Sequence, residues 1–152
     1  MGRRSSKRLH GDEGFTLIEL LVVILIIGVL AAIAIPSLLN QRGKATDANA
    51  KELARTGAQA AETYATDHAG GYTGVEPTVL KEYEPAIQIA AGGNNAYLSV
   101  AKAEESGKGY LVTAVAPGTG DTFTITRKEN GEVKRTCKAE TSNKGGCLTG
   151  SW

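Results

Sequence analysis

Hydrophobic positions fall into three regimes along the chain. From Phe15 to Ile35 the text FTLIELLVVILIIGVLAAIAI is apolar on every face, 21 residues with one charge, Glu19. As a helix this segment rises about 30 Å, the thickness of a bilayer core. A secretory signal peptide has a shorter apolar region before its cleavage site, so the run reads as a membrane span despite the small residues at Ala31, Ala32 and Ala34. After Pro36 the composition changes to Ala, Lys, Glu, Gln and Arg, all good helix formers. Thr46, Ala50, Leu53, Gly57, Ala61 and Tyr64 recur every three or four residues and draw one apolar stripe. The pattern predicts a helix from about Phe15 to His68, stopped by Gly70-Gly71, apolar all round in its first part and amphipathic in its second.

Beyond a loop-like stretch over residues 70–95, with a helical turn around Thr78–Tyr83, the period shortens to that of strands. Four short runs qualify: about Ala96–Ala103, Tyr110–Ala116, Thr122–Lys128 and Val133–Cys137. Asn130-Gly131 between the last two is a hairpin signal. Sequential, hairpin-linked strands imply an antiparallel sheet. Such a sheet needs one face covered, and only the amphipathic half of the helix is long enough to cover it. The expected fold is α+β, a lollipop with a long N-terminal helix packed on a C-terminal four-stranded antiparallel sheet.

Charge adds orientation. Residues 1–14 carry Arg3, Arg4, Lys7 and Arg8 against Asp12 and Glu13, and only Leu9 is a large apolar residue between Met1 and the span. Basic residues before a span keep that end cytoplasmic, which sends the remainder outside. The whole chain is nearly neutral, 17 Lys+Arg against 16 Asp+Glu in 152 residues, and offers no electrostatic footprint of a nucleic-acid binder. Two Cys and two His cannot close a zinc site without His10 of the N-terminal segment, so no metal is expected. His68 stands alone, Ser and Thr lack a His–acid context, and no phosphate-cradling glycine loop is present. No catalytic residue and no cofactor are assigned, and the chain reads as a non-enzyme.

The stretch GFTLIELLVVILIIGVLAAIAIPSLLNQR, Gly14 to Arg42, resembles the N-terminal signature of type IV pilins and pseudopilins. The shared elements are a Gly before a Phe, Thr16-Leu17-Ile18, the acid at Glu19, the unbroken apolar run and Pro36. The resemblance implies four segments: a leader over 1–14, an assembly helix over 15–36, its amphipathic continuation over 37–69, and a head over 70–152. It implies cleavage between Gly14 and Phe15 by a membrane prepilin peptidase and methylation of the new Phe15 amine. Glu19 would pair with that amine on a neighbouring copy, and Pro36 would bend the helix at the membrane boundary. Asp12-Glu13 stands where the family often carries a basic residue.

Cys137 and Cys147 are an even pair in the segment placed outside the membrane, which argues for a disulfide, with free thiols as the alternative. The pair also matches the disulfide-bounded region of the pilin family. The implied function is a structural subunit of an extracellular filament serving adhesion, motility or DNA uptake. Implied partners are copies of itself, the prepilin peptidase, and an assembly machinery with a platform protein and, indirectly, an ATPase. The precursor would be a single-pass protein of the cytoplasmic membrane, and the mature subunit part of a surface pilus. Two alternatives are a pseudopilin of a type II secretion or competence system and a membrane-anchored binding domain that never polymerises.

Overall fold

A computed structural model describes residues 14–140, 146, 147 and 149–152. The leader expected over 1–14 lies outside these residues except for Gly14. The element order is α1 (Leu17–Asp67), α2 (Pro77–Tyr83), β1 (Tyr97–Ala103), β2 (Tyr110–Val115), β3 (Thr122–Arg127) and β4 (Val133–Lys138). The sheet order is β1-β2-β3-β4 with every pair antiparallel. This is the expected α+β arrangement of one long helix followed by a four-stranded antiparallel meander. The chain divides into two compact units, 1–37 and 38–152, and α1 contributes to both.

In the first unit α1 buries nothing. All 17 large apolar side chains named from Phe15 to Leu39 are between 45% and 91% exposed, the last two belonging to the second unit. Its 18-residue core is long and apolar enough to cross a membrane. Pro36 lies inside the helix and not at a break. One missing backbone bond does not interrupt the ladder when the flanking turns supply theirs.

In the second unit α1 is amphipathic and lies on the sheet. Ala50, Ala54, Gly57, Ala58, Ala61, Tyr64 and Ala65 face a core built from Leu98, Tyr110, Val112, Ala114, Phe123 and Ile125. The strand side shows the period of two: Tyr110, Val112 and Ala114 are buried, their neighbours only partly. The stripe expected from the sequence is met at Thr46, Ala50, Gly57, Ala61 and Tyr64, whereas Leu53 is only partly buried and Ala54 takes the deeper place. Small residues prevail because the helix rides close to the sheet. A Cβ at Gly57 would stand 2.8 Å from Val112 Cγ1 and 3.1 Å from Leu98 Cδ1. The turn expected near Thr78–Tyr83 is α2, which drops Leu80 into the core and contacts β1.

The α1 terminus differs from expectation in one detail. The chain turns at Ala69, whose φ of 53° is left-handed, before it reaches Gly70. Gly70 N–H then donates to Ala65 O at 2.7 Å, closing a Schellman motif with a non-glycine residue at the left-handed position. A Cβ there costs about 1 kcal/mol. Ala69→Gly is therefore expected to raise the thermal midpoint of the second unit by a few degrees, read by circular dichroism.

A polar network ties the helix end to the sheet. Glu62 accepts from Tyr72 Oη at 2.7 Å and Tyr110 Oη at 3.1 Å, and pairs with Arg127 Nε at 3.1 Å. Burial, then the bond and the charge of Glu62, push the Tyr72 phenol up to about 12. The same causes push Tyr110 up further. A phenol raised on folding stabilises the native state below its unfolded value of 10.0, and that contribution fades as pH climbs toward about 12. Stability should therefore fall across that alkaline window. Glu62→Gln should move the Tyr72 and Tyr110 absorbance titrations to lower pH; unchanged titrations would contradict this assignment.

Candidate functional site

The residues singled out by sequence lie in two places. Gly14, Phe15, Glu19 and Pro36 belong to the first unit, and Cys137 and Cys147 to the second. Gly14, Phe15 and Thr16 precede the helix, and Phe15 is 91% exposed. The Gly14–Phe15 peptide is thus outside regular structure, and among the described residues other than its chain neighbours no atom comes within 4 Å of where a Gly14 Cβ would be.

The helix begins at a reciprocal capping box. Thr16 N–H and Thr16 Oγ1 donate to Glu19 Oε2 at 2.9 and 2.7 Å, and Glu19 N–H donates to Thr16 Oγ1 at 3.3 Å. Thr16 is the N-cap and Glu19 the third helical residue, the spacing at which each side chain satisfies the other's backbone. Glu19 therefore finds part of its hydrogen bonding within its own chain. The signal was legible as Thr-x-x-Glu ahead of an apolar run. Glu19 Oε1 takes no hydrogen bond among the described residues. From Leu20 to Ile35 the helix surface is apolar, with a shallow groove along Leu21, Ile24, Gly28 and Ala32 where Gly28 contributes no side chain.

The second place is the C-terminal closure of the sheet. Cys137 on β4 is bonded to Cys147, so the free-thiol alternative is set aside. Asp47 of α1 is fully buried and anchors this closure. Its Oδ2 accepts from Gly146 N–H at 2.6 Å and its Oδ1 from Thr119 Oγ1 at 2.7 Å, while Lys51 Nζ donates to Gly146 O at 2.8 Å. A second buried acid, Asp121, accepts from Glu140 N–H at 3.1 Å. Burial raises its carboxyl above the usual range; the Glu140 bond opposes this, and the charges of Asp47 and Glu140 add to it. The two aspartates hold either end of the disulfide-bounded segment. Neither was expected from sequence, because a buried acid reads as a surface acid until its partners, up to 99 residues away, are in place. Trp152 closes the edge, its Nε1 donating to Thr136 O at 2.9 Å and its ring meeting Phe123 edge-on at 5.9 Å.

Among the described residues no group of three or more His, Cys, Asp or Glu side chains could hold a metal. The chain thus combines an exposed apolar helix, long and apolar enough to cross a membrane and with a capped acid near its start, with a disulfide-closed α+β unit. The prokaryotic N-terminal methylation motif matches residues 9–35. The major component of the wide type IV pilus of Thermus thermophilus is 33% identical over 61% of this chain and 75% of its own length. The narrow-pilus major component of the same organism is 33% identical over 76% of this chain and 87% of its own. A fimbrial protein of Eikenella corrodens is 34% identical over 58% of this chain, and the match spans 61% of that protein. The chain belongs to the type IV pilin family.

The disulfide generates a stability prediction. Closing a segment of 10 residues is worth about 2–3 kcal/mol by chain entropy. Cys137→Ser should lower the melting temperature by an amount that reduction of the wild-type protein reproduces. Equal melting of variant and wild type would show that the Asp47 and Trp152 contacts alone close the edge.

Proposed function

We propose that the chain is the major pilin of an extracellular type IV pilus, cut between Gly14 and Phe15, methylated on the Phe15 amine and polymerised through 15–36. The observation that carries this reading is the continuous exposed apolar surface from Phe15 to Leu39 with one carboxylate near its start. An apolar surface of that extent requires lipid or other protein. Lipid serves the precursor, and copies of the same helix serve the filament.

Processing links the two states. Cutting before Phe15 removes the basic leader and creates an amine that exists only in mature subunits. Burying a carboxylate among aliphatic side chains is costly unless its oxygens are paired. Thr16 occupies Oε2, and a neighbour's Phe15 amine would take Oε1, fixing the axial register between copies. The Gly28 groove lets a neighbouring helix approach closely, as small residues do between apolar helices. The methylation motif covering residues 9–35 supports the cleavage and methylation sites. The names of the relatives support the major-pilin role.

Mature surface protein should begin at Phe15 and carry one added methyl by intact-mass analysis; retention of residues 1–14 would reject the processing step. Glu19→Ala should be cut normally and remain in the membrane but yield few sheared filaments, and Glu19→Asp should be intermediate. Wild-type filament counts from Glu19→Ala would remove Glu19 from the assembly contact.

A further inference from the structure

Asp47 of α1 and Asp121, the residue before β3, are both fully buried, and the charge of one acts on the other. Thr119 links them, its hydroxyl donating to Asp47 Oδ1 at 2.7 Å and accepting from Asp121 N–H at 3.3 Å. Asp47 is well served as a carboxylate, because Thr119 and Gly146 N–H each supply one of its oxygens with a donor. Asp121 is not. Its Oδ1 accepts from Glu140 N–H at 3.1 Å, but its buried Oδ2 has no hydrogen-bond partner among the described residues. An ionised carboxylate in that place leaves one oxygen unsolvated beside a second negative charge, and the neutral acid avoids the larger part of that cost.

The charged groups around the pair offer Asp121 no cation among the described residues. From α1 come Asp47 and Lys51, whose Nζ donates to Gly146 O at 2.8 Å. After β4 comes Glu140, and Lys138 Nζ at the end of that strand is paired with Glu140 Oε1 at 2.7 Å. The turn before Asp121, residues 116–120, is uncharged. The site also has no slack: a Cβ at Gly146 would stand 3.1 Å from Asp47 Cβ, and one at Gly120 3.3 Å from Glu140 Cβ. Both acids hold backbone beside the disulfide, and Cys147, next to Gly146, is only 4% exposed. We propose that Asp121 is a proton-operated lock: with its carboxyl neutral, Glu140 and Gly146 stay bound to the aspartate pair and Cys147 stays shielded, and with it ionised the two acids repel, those bonds loosen and the disulfide opens to solvent. The direction in pH follows from the Asp121 carboxyl, which burial raises above 3.8 against the Glu140 N–H bond, with the charges of Asp47 and Glu140 adding to the rise. A group raised on folding contributes its stability in full below its unfolded value and loses it as pH climbs through the folded one. The lock therefore holds in acid and releases as pH rises. It lies wholly in the second unit and does not depend on filament assembly.

The test uses the full chain in detergent, with the Cys137–Cys147 bond opened by a phosphine reductant at a series of pH values from about 4 to about 8. Asp121→Asn keeps the shape of the side chain and cannot ionise, so the ratio of wild-type to variant rates cancels the effect of pH on the reagent. The two rates should agree at the acid end, and the wild type should be reduced several-fold faster at the alkaline end. In the wild type, the Asp121 carboxyl carbon resonance should titrate above 3.8, and the Gly146 amide resonance should move with the same midpoint. A buried acid with no hold on that edge would leave the Gly146 amide still. A rate ratio that stays constant across the series, an Asp121 midpoint at or below 3.8, or a Gly146 amide that ignores it would each overturn the inference. Should Asp121→Asn fail to fold, the two wild-type resonances decide by themselves.

Discussion

The N-terminal part of α1 presents an apolar surface that none of the described residues covers, and the remaining features follow from that surface. The large apolar side chains from Phe15 to Leu39 are all exposed. Their transfer from water is worth several tens of kcal/mol at about 25 cal/mol per Å², so the isolated, solvated form is not a resting state. The surface must be in lipid or against other protein, and a subunit that uses both in turn needs a trigger between them. In the proposed reading, cutting at the Gly14–Phe15 peptide, which precedes α1, would supply such a trigger, because it removes the basic leader and frees an amine.

Thr16 and Glu19 show how a polar group is tolerated at the head of such a surface. The capping box satisfies backbone groups that a helix start otherwise leaves open, and it fixes the carboxylate in one orientation. A carboxylate with one oxygen committed and one free is ready for a single further donor. The second unit solves a different problem with the same means. Asp47, Asp121 and Glu62 hold distant backbone or phenol groups against α1 and the sheet edge, so the small residues of α1 can lie flat on the strands. The polar anchors, together with the disulfide and Trp152, close the edge strand β4, whose side chains other than Cys137 are exposed.

Elements whose signal is periodic were legible in the sequence. The 3.6-residue stripe over Thr46–Tyr64 and the alternation at Tyr110–Val115 each depend on neighbours a few residues away, and both appear within one or two residues of where the pattern puts them. The Gly14–Arg42 signature was legible for the same reason, since it is contiguous. What the sequence hid is long-range or conformational. Asp47 lies one position from the predicted stripe and is buried only because Thr119 and Gly146 meet it there. The left-handed turn at Ala69 precedes the Gly70-Gly71 stop signal, since the bond to Ala65 O is made by the following residue, Gly70. Thr16-x-x-Glu19 is a contiguous capping-box pattern, so the local partner of this acid is written in the sequence beside the external one that the apolar run implies.

The central claim is that copies of this helix replace lipid around one another, with Glu19 as the polar contact. Cryo-electron microscopy of sheared surface filaments tests it most directly. The account predicts a core of 15–36 helices in which Glu19 of each subunit lies within hydrogen-bonding distance of the Phe15 amine of a neighbour. Filaments whose core leaves Glu19 facing solvent, or in which the 15–36 helices do not touch, would contradict it.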